Sequence, residues 1–527
     1  MSRRAAKGRA ADPSRGATPY RGGAPADAKD APEESGLVGE LIRQFADPFA
    51  FYRELVQNSI DAGATQIHAQ LVWEPGPDGE PGMLRVSVRD DGSGMPREVL
   101  EEDLTVLFRS TKEARDDAIG KFGIGFVSVL AVEPDVVIVD TSIGDGARWS
   151  LHLHADQTFD LYRADAPPER GTSVTLHIAL AASEQPAFFE RSEAALRRWC
   201  RHARIPIRFV ALEPGRGEPV RDVRIDEPLS LDAPITVHAR SRDGRTTVVA
   251  GLPRPGERYG AFYNQGLLLH ETRDHELGEV AFKVMDARLE HTLSRDDVRR
   301  DEHHARAVEL VARTIRGPLM EALAERMSHA AEVHARGGDG GAAQLLELIE
   351  AHSRSGLHIA PSGVKLPIVP LPGGARVATI DALGLASFEG RTPLATALAR
   401  AGKVVLDLGL APAETERQRV VTWLAQSMEI ALPRDADVWS LIEPLEPTPS
   451  DEALLSSVAE RLGQVLRRPS EIVIANVHGS ARASLALPGS ARRDPWLVPT
   501  SDLDADPFRL LARPPLVLRA DHPIVTA

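Results

Sequence analysis

The sequence of 527 residues contains a single cysteine, Cys200. One cysteine cannot form an internal disulfide or a cysteine-based zinc site, and this scarcity is typical of a reducing cytosol. No run of about eighteen or more uncharged apolar residues is present, so a membrane-spanning helix is not expected. The basic N-terminus, MSRRAAKGRAADPSRGATPYRGG, lacks the apolar segment of a secretory signal. We therefore expect a cytoplasmic protein that does not engage a membrane.

The sequence also has fewer basic than acidic residues, 62 against 76. The formal net charge is −14, which argues against a general affinity for nucleic acid phosphates but leaves room for a local basic patch. Apolar residues make up 43% and charged residues 26%, an ordinary globular composition, and the length is sufficient for two to four domains. Nucleic acid is therefore not the expected partner.

Composition and periodicity divide the chain into four parts. We expect a disordered tail over residues 1–34, an α/β domain over 35–215, a second α/β domain over 225–335 and a further α/β region over 345–527. Strand-like alternation occurs in TQIHAQLVW, LRVSVRD and TSVTLHI, whereas RSEAALRRWCRHA and HHARAVELVARTIRGPLMEALAERM are typical of helices. In the last region KVVLDLG predicts a buried strand and ETERQRVVTWLAQSM an amphipathic helix. The expected class is α/β (α+β), without an internal repeat.

The stretch ELVQNSIDAGA predicts an unusual helix. At 100° per residue its polar side chains fall on one narrow arc, opposite an apolar face, and Gly63 is expected to end the helix. The members of the polar arc are Glu54, Gln57, Asn58 and Asp61. A solvated surface is the simple interpretation, but Asn and Asp are poor residues in the middle of a helix. Alternatively, a Glu and an Asn four residues apart could hold a water molecule and Mg²⁺.

Three further motifs place polar residues or glycines where they could contact a ligand. In LRVSVRDDGSGM, Asp90 is in phase with the buried face of a strand and Asp91 is not, so Asp90 needs a partner, such as a ligand amino group. In FRSTKEARDDAIGKFGIGF, the glycines allow close approach of backbone N–H groups to phosphate, although no Walker pattern is present. In ERGTSVTLHI, Thr172 begins a strand. Each motif alone also fits an ordinary turn or strand entry.

Taken in order, ELVQNSIDAGA, DDGSGM, GKFGIGF and RGT resemble the four motifs of the GHKL ATPase superfamily over roughly residues 37–212. The resemblance implies a Bergerat-type two-layer α/β sandwich with a mixed sheet, and it implies ATP and Mg²⁺ as cofactors. It makes Glu54 the general base, Asn58 the Mg²⁺ ligand and Asp90 the acceptor for the adenine amino group. The other implied nucleotide contacts are Gly94, Met95, Lys112, Gly120, Gly123, Gly125, Phe126 and Thr172.

A later stretch, YNQGLLLHETRDHELGEVAFKVMDARLEHTLSRDDVRRD, resembles the middle domain of the ninety-kilodalton heat-shock chaperones, including HtpG. The pattern is carried by Asp286, Leu289, Ser294 and Arg295. It implies that Arg295 reaches the γ-phosphate, although Ser294 as a helix N-cap would explain the same residues.

The implied function is that of an ATP-dependent, stress-response chaperone whose hydrolysis opens and closes a clamp on client proteins. A homodimer is possible, although the C-terminal dimerisation helices of such chaperones are not recognised in the sequence. Two alternatives stay open: a GHKL ATPase of DNA repair or defence, like MORC or mismatch-repair proteins, and a nucleotide-dependent regulatory module.

Overall fold

The computed structural model describes residues 20–22 and 47–526, apart from residues 78–79, 106–123, 157, 165–168, 214, 216–217, 293–296, 358–360, 401, 428, 435–439, 466–471, 478–485, 491–495 and 498–515. Helices and mixed sheets alternate along the chain, which confirms the expected α/β class. Among the described helices, none combines the length and the hydropathy that crossing a membrane requires.

The first sheet has nine strands in the order β1-β6-β5-β4-β7-β3-β2-β8-β9. Neighbouring strands run antiparallel except for β2 and β8, which are parallel. The strands are β1 Tyr20–Gly22, β2 Ile67–Glu74, β3 Gly82–Asp90, β4 Val136–Ser142, β5 Arg148–His154, β6 Phe159–Ala164, β7 Gly171–Leu180, β8 Ile207–Leu212 and β9 Arg221–Arg224. Of the tail expected to be disordered, the described residues form β1, which pairs with β6.

Helices α1 Phe51–Asp61, α2 Arg97–Val99, α3 Ile124–Val127 and α4 Gln185–Cys200 accompany this sheet. The alternation predicted for β2 is confirmed, because Ile67, Ala69 and Leu71 are buried and the residues between them are exposed. The apolar face of α1 packs into the same core as Leu196 and Cys200 of α4. The core thereby fixes which face of α1 can meet a ligand.

The second sheet has five strands in the order β10-β11-β14-β12-β13, in which β12 and β14 are parallel. The strands are β10 Ile235–Arg240, β11 Thr247–Leu252, β12 Tyr259–Asn264, β13 Leu267–Thr272 and β14 Ala281–Met285. They are followed by α5 Glu302–Thr314, α6 Met320–Ala335 and α7 Gly341–Ser355. The predicted long helix is present as α5 and α6, joined by a wide helical turn that contains Pro318, which has no N–H to donate.

The remaining elements are β15 Lys365–Pro367, β16 Val377–Thr379, β17 Leu385–Ser387, α8 Pro393–Arg400, β18 Val405–Asp407, α9 Glu414–Ser427, β19 Ser440–Pro444, α10 Pro449–Val465, β20 Ile472–Val477, β21 Ala486–Ser490, β22 Trp496–Leu497, β23 Leu516–Arg519 and α11 Pro523–Thr526. Strand β18 is buried throughout and α9 is helical, as predicted. One hydrophobic cluster extends from Ile235 to Leu424, so residues on both sides of position 340 share a core. The four domain limits stay a prediction.

The end of α4 contacts the second sheet. Trp199 packs against buried residues of the second sheet, among them Tyr263 and Met285. An ion pair joins Arg198 to Glu271 on β13, with an N–O distance of 2.8 Å. Arg201 forms an ion pair at the same distance with Glu227, in the segment that leads from β9 to β10. This helix therefore connects the core behind α1 with the face of the second sheet.

Candidate functional site

The polar arc of α1 is not uniform in the structure. Glu54 is 7% exposed, whereas Asn58, one turn later, is exposed to solvent. The other two members of the arc, Gln57 and Asp61, share a hydrogen bond of 3.0 Å at the surface. A buried carboxylate and an exposed amide on one helix face do not make a simple solvated surface. Gly63, at φ +70°, ends the helix region as predicted.

Arg53 is a residue that sequence reasoning missed. Only 4% of it is exposed, and its Nη2 and Nε atoms lie 2.8 and 3.1 Å from Oε1 of Glu54. Its guanidinium also lies over the indole ring of Trp199, 4.9 Å from the centroid. A buried charge is tolerated when it is paired, so Arg53 and Glu54 stabilise one another in their charged forms. The arginine beside the glutamate in RELVQNS was the available signal.

Asp90 faces inward at the end of β3, as its phase predicts. Its Oδ1 accepts hydrogen bonds from the N–H groups of Gly92, at 2.8 Å, and Thr172, at 3.3 Å. Its Oδ2 lies 3.0 Å from Oγ of Ser59 on α1, a residue that the sequence did not single out. Burial raises the pKa of Asp90 above its ordinary value, and these hydrogen bonds offset part of the effect. The carboxylate retains lone pairs with which to accept from a ligand.

Asp91 has a different environment, in line with its opposite phase. It accepts hydrogen bonds from N–H and Oγ1 of Thr65 and from N–H of Gln66, at 2.5 to 3.1 Å. Burial acts to raise its pKa, but these hydrogen bonds bring the pKa below its ordinary value. Asp91 thus anchors the turn after α1, whereas Asp90 is the carboxylate of the two that faces inward.

Thr172, whose N–H group donates to Asp90, contacts a second threonine on the neighbouring strand. Oγ1 of Thr141, on β4, lies 3.0 Å from Oγ1 of Thr172 and accepts the N–H of Met95 at 2.9 Å. Thr141 was not predicted, because its role depends on β4 pairing with β7 far along the chain. Gly94, at φ +68°, lies so close to Ser142 that any Cβ would overlap the Ser142 carbonyl. The sites expected at Asp90, Gly94, Met95 and Thr172 are therefore brought together.

The remaining predicted residues lie in α3 or outside the described residues. Phe126 is buried in α3, and the carbonyl of Gly125 accepts a hydrogen bond of 2.6 Å from Oγ of Ser128. Residues outside the described part of the chain are Lys112, Gly120, Gly123, Ser294 and Arg295.

Asp286 is the first residue of the pattern that resembles the middle domain of the ninety-kilodalton chaperones, and its contacts are typical of a structural role. It is buried and accepts hydrogen bonds of 2.6 Å from Oγ1 of Thr246 and from Nη2 of Arg288. Burial acts to raise its pKa, but the hydrogen bonds from Arg288 and Thr246 lower that pKa to about 2. Leu289 is buried in the core of the second sheet. These contacts fix the backbone that leads to residues 293–296.

The donor set would suit a metal ion that takes few protein ligands. Across the described residues, no group of three or more His, Cys, Asp or Glu side chains could hold a metal ion. A single amide such as that of Asn58 suits Mg²⁺, which takes few protein ligands and keeps several waters. The partly buried Asp90 carboxylate suits an amino group.

Part of the chain matches a known family. Residues 50–168 match the family described as histidine kinase-, DNA gyrase B-, and HSP90-like ATPase. The match includes Glu54, Asn58 and Asp90 and ends before Thr172 and Arg295.

Curated relatives carry the name chaperone protein HtpG. The protein of Salinispora tropica is 28% identical over 230 residues, 39% of this chain and 34% of the relative. That of Methylococcus capsulatus is 30% identical over 198 residues, 32% and 30% of the two chains. That of Rhodospirillum rubrum is 26% identical over 280 residues, 46% and 40% of the two chains. The chain thus spans 30% to 40% of the length of these relatives. Residues 50–168 thus match the GHKL ATPase family, and the chain is similar to the HtpG chaperones.

Proposed function

We propose that the protein is a Mg²⁺-dependent ATPase and an ATP-driven molecular chaperone of the HtpG type, acting in the cytoplasm on client proteins. One observation carries the enzymatic part of the proposal. A buried, charge-paired Glu54 and an exposed Asn58 lie one turn apart on α1, and Ser59 of the same helix contacts Asp90. This arrangement supports a nucleotide with its adenine at Asp90 and its phosphates toward Glu54 and Asn58.

Each residue then has a distinct task. Glu54 orients the attacking water and takes its proton, and the hydrogen bond from Arg53 holds the carboxylate in its buried position. The amide oxygen of Asn58 would hold Mg²⁺, which would offset the negative charge of the ATP phosphates. Asp90 accepts from the adenine amino group. Thr172, held by Thr141, supports the base from the side of the sheet.

The remaining contacts follow from the resemblance to the superfamily. Lys112 and the backbone around Gly120 and Gly123 would bind phosphate and form a lid hinge with Gly125. Arg295 would reach the γ-phosphate from the second α/β domain and offset charge in the transition state. Closure and reopening of this arrangement would drive a clamp on clients, in a monomer or a homodimer.

Phosphate release with and without Mg²⁺ tests the enzymatic part. We expect Glu54→Ala to lower kcat by about 10²- to 10⁴-fold while nucleotide still binds. Asn58→Ala should raise the Mg²⁺ requirement. Gln57→Ala is the matched control, because Gln57 lies on the same polar arc but bonds to Asp61. Hydrolysis that survives Glu54→Ala, or that Gln57→Ala reduces equally, would overturn the assignment of the base.

Suppression of aggregation of a heat-denatured client tests the chaperone part. We expect suppression by the wild type with ATP and its loss in Glu54→Ala, whose nucleotide site is intact. The same samples are assayed with duplex DNA. DNA-stimulated hydrolysis without suppression would favour the repair or defence alternative. Nucleotide binding with neither turnover nor suppression would favour a regulatory module.

A further inference from the structure

Trp199 forms an unusual junction at the end of α4. The guanidinium groups of Arg53 and Arg198 both lie over its indole ring, at 4.9 and 4.6 Å from the centroid. Each cation also has a carboxylate of its own, Glu54 for Arg53 and Glu271 for Arg198, with N–O distances of 2.8 Å in both pairs. The two like charges are therefore compensated separately, and the ring is the element that they share.

The Arg53 side of this junction is buried. Nε and Nη2 of Arg53 both lie within hydrogen-bond distance of Oε1 of Glu54, and the guanidinium carbon lies over the Trp199 ring. A cation held by both a carboxylate and an aromatic ring has little freedom to move, so the ring contributes to where the Glu54 carboxylate lies. Replacing the ring by a smaller aliphatic group would leave the face of a buried cation without its partner.

The Arg198 side reaches the second sheet. Glu271 lies on β13 and also accepts a hydrogen bond of 3.2 Å from the hydroxyl of Tyr259 on β12. Trp199 itself packs against the buried cluster of the same sheet that includes Tyr263. A continuous series of contacts therefore runs from Glu54 through Arg53, Trp199 and Arg198 to β13.

We propose that Trp199 is a positioning residue for the candidate base, and that it makes the geometry of the Arg53–Glu54 pair depend on the contact between α4 and the second sheet. The proposal rests on the proposed function, in which Glu54 acts on the attacking water. It assigns to the second sheet an influence on hydrolysis that is separate from any residue it contributes to the nucleotide. Asp90, at the adenine end, takes no part in this series of contacts.

The test is steady-state hydrolysis and nucleotide binding of the full chain. We expect Trp199→Leu to lower kcat by about tenfold, with nucleotide Kd changed less than about twofold. The acid limb of its kcat–pH profile should move to higher pH, because a buried carboxylate whose paired cation is loosened ionises less readily. Trp199→Phe, which keeps a ring face, should recover most of the rate and the pH profile.

Arg198→Ala should lower kcat about threefold, and it should add little in the Trp199→Leu background, since both changes interrupt one series of contacts. Arg197→Ala is the matched control. Arg197 is the preceding residue of α4 and pairs with Glu193 and Glu227, so it leaves Trp199 untouched. Equal effects of Arg197→Ala and Arg198→Ala, or an unchanged kcat and pH profile in Trp199→Leu, would overturn the proposal.

Failure of the proposed function has a different signature. If Glu54→Ala leaves hydrolysis intact, or if no hydrolysis occurs, that function is wrong. The coupling between the Arg53–Glu54 pair and the second sheet is then tested by the fluorescence emission of Trp199. This emission is obtained by subtracting the spectrum of Trp199→Phe from that of the wild type. Arg53→Lys and Arg198→Ala should each shift this emission, whereas unchanged emission would refute the coupling.

Discussion

His202, which follows α4, makes the contact with the second sheet sensitive to acid. Its Nε2 lies 2.9 Å from Nζ of Lys283 and its Nδ1 lies 3.2 Å from the carbonyl oxygen of Glu227. The lysine ammonium can only donate, so Nε2 must accept, and the proton of the neutral ring resides on Nδ1. Burial and then the Lys283 charge lower the pKa of His202 from 6.5 to about 4. Protonation at Nε2 would replace this hydrogen bond by a repulsion.

The sign and size of the effect follow from linkage. The folded pKa lies below the unfolded one, so the stabilisation is complete above about pH 6.5 and is lost as the pH falls toward 4. Between pH 7 and pH 5 this amounts to about 2 kcal/mol for a side chain that is 3% exposed. Lys283, with its pKa lowered by burial to about 8, is protonated throughout this interval and does not add to the change.

Denaturant unfolding at pH 7 and pH 5, followed by tryptophan fluorescence, measures this loss. We expect His202→Gln, which keeps an oxygen acceptor for Lys283 but cannot titrate, to lose about 2 kcal/mol less than the wild type between the two pH values. His68→Gln is the control, because His68 is exposed on β2. An equal loss of stability in wild type and His202→Gln would show that the ring is not the neutral acceptor described above.

Two further predictions concern the nucleotide site. Because burial raises the pKa of Asp90, its contribution to the stability of the unliganded protein is present at low pH and is lost as the pH rises through that pKa. In the proposed function the nucleotide amino group donates to ionised Asp90, so affinity measured by titration calorimetry should fall on acidification, and it should be weak and independent of pH in Asp90→Asn. Gly94→Ala should cost about 3 kcal/mol or more in thermal unfolding, since strain at φ +68° adds to overlap with Ser142. Gly63→Ala, at φ +70° with open space around it, should cost about 1 kcal/mol; equal losses would show that the overlap is relieved.

Local periodicity was sufficient to predict the elements that carry the site. The 3.6-residue period placed Glu54 and Asn58 on one face of α1, and the twofold period of β3 separated Asp90 from Asp91. Both predictions depend on residues close together in the chain, where the backbone repeat alone fixes side-chain direction.

The contacts that complete the site could not be predicted in this way. Thr141 meets Thr172 because β4 pairs with β7, and Arg53 meets Trp199 because α1 packs beside α4. A threonine in a strand and an arginine in a helix are ordinary residues in sequence. Their significance arises from pairing between segments that lie about 30 to 150 residues apart, which periodicity does not encode.

The position of Cys200 in α4 makes this single cysteine a probe of local opening. Cys200 is fully buried in the core shared with α1, and burial raises the pKa of its thiol well above the ordinary value. A thiol in this state is inert toward alkylating reagents until α4 separates from its neighbours. Because the sequence holds no other cysteine, the rate at which the wild-type protein is alkylated measures how often α4 opens locally beside α1, the helix that carries the candidate base.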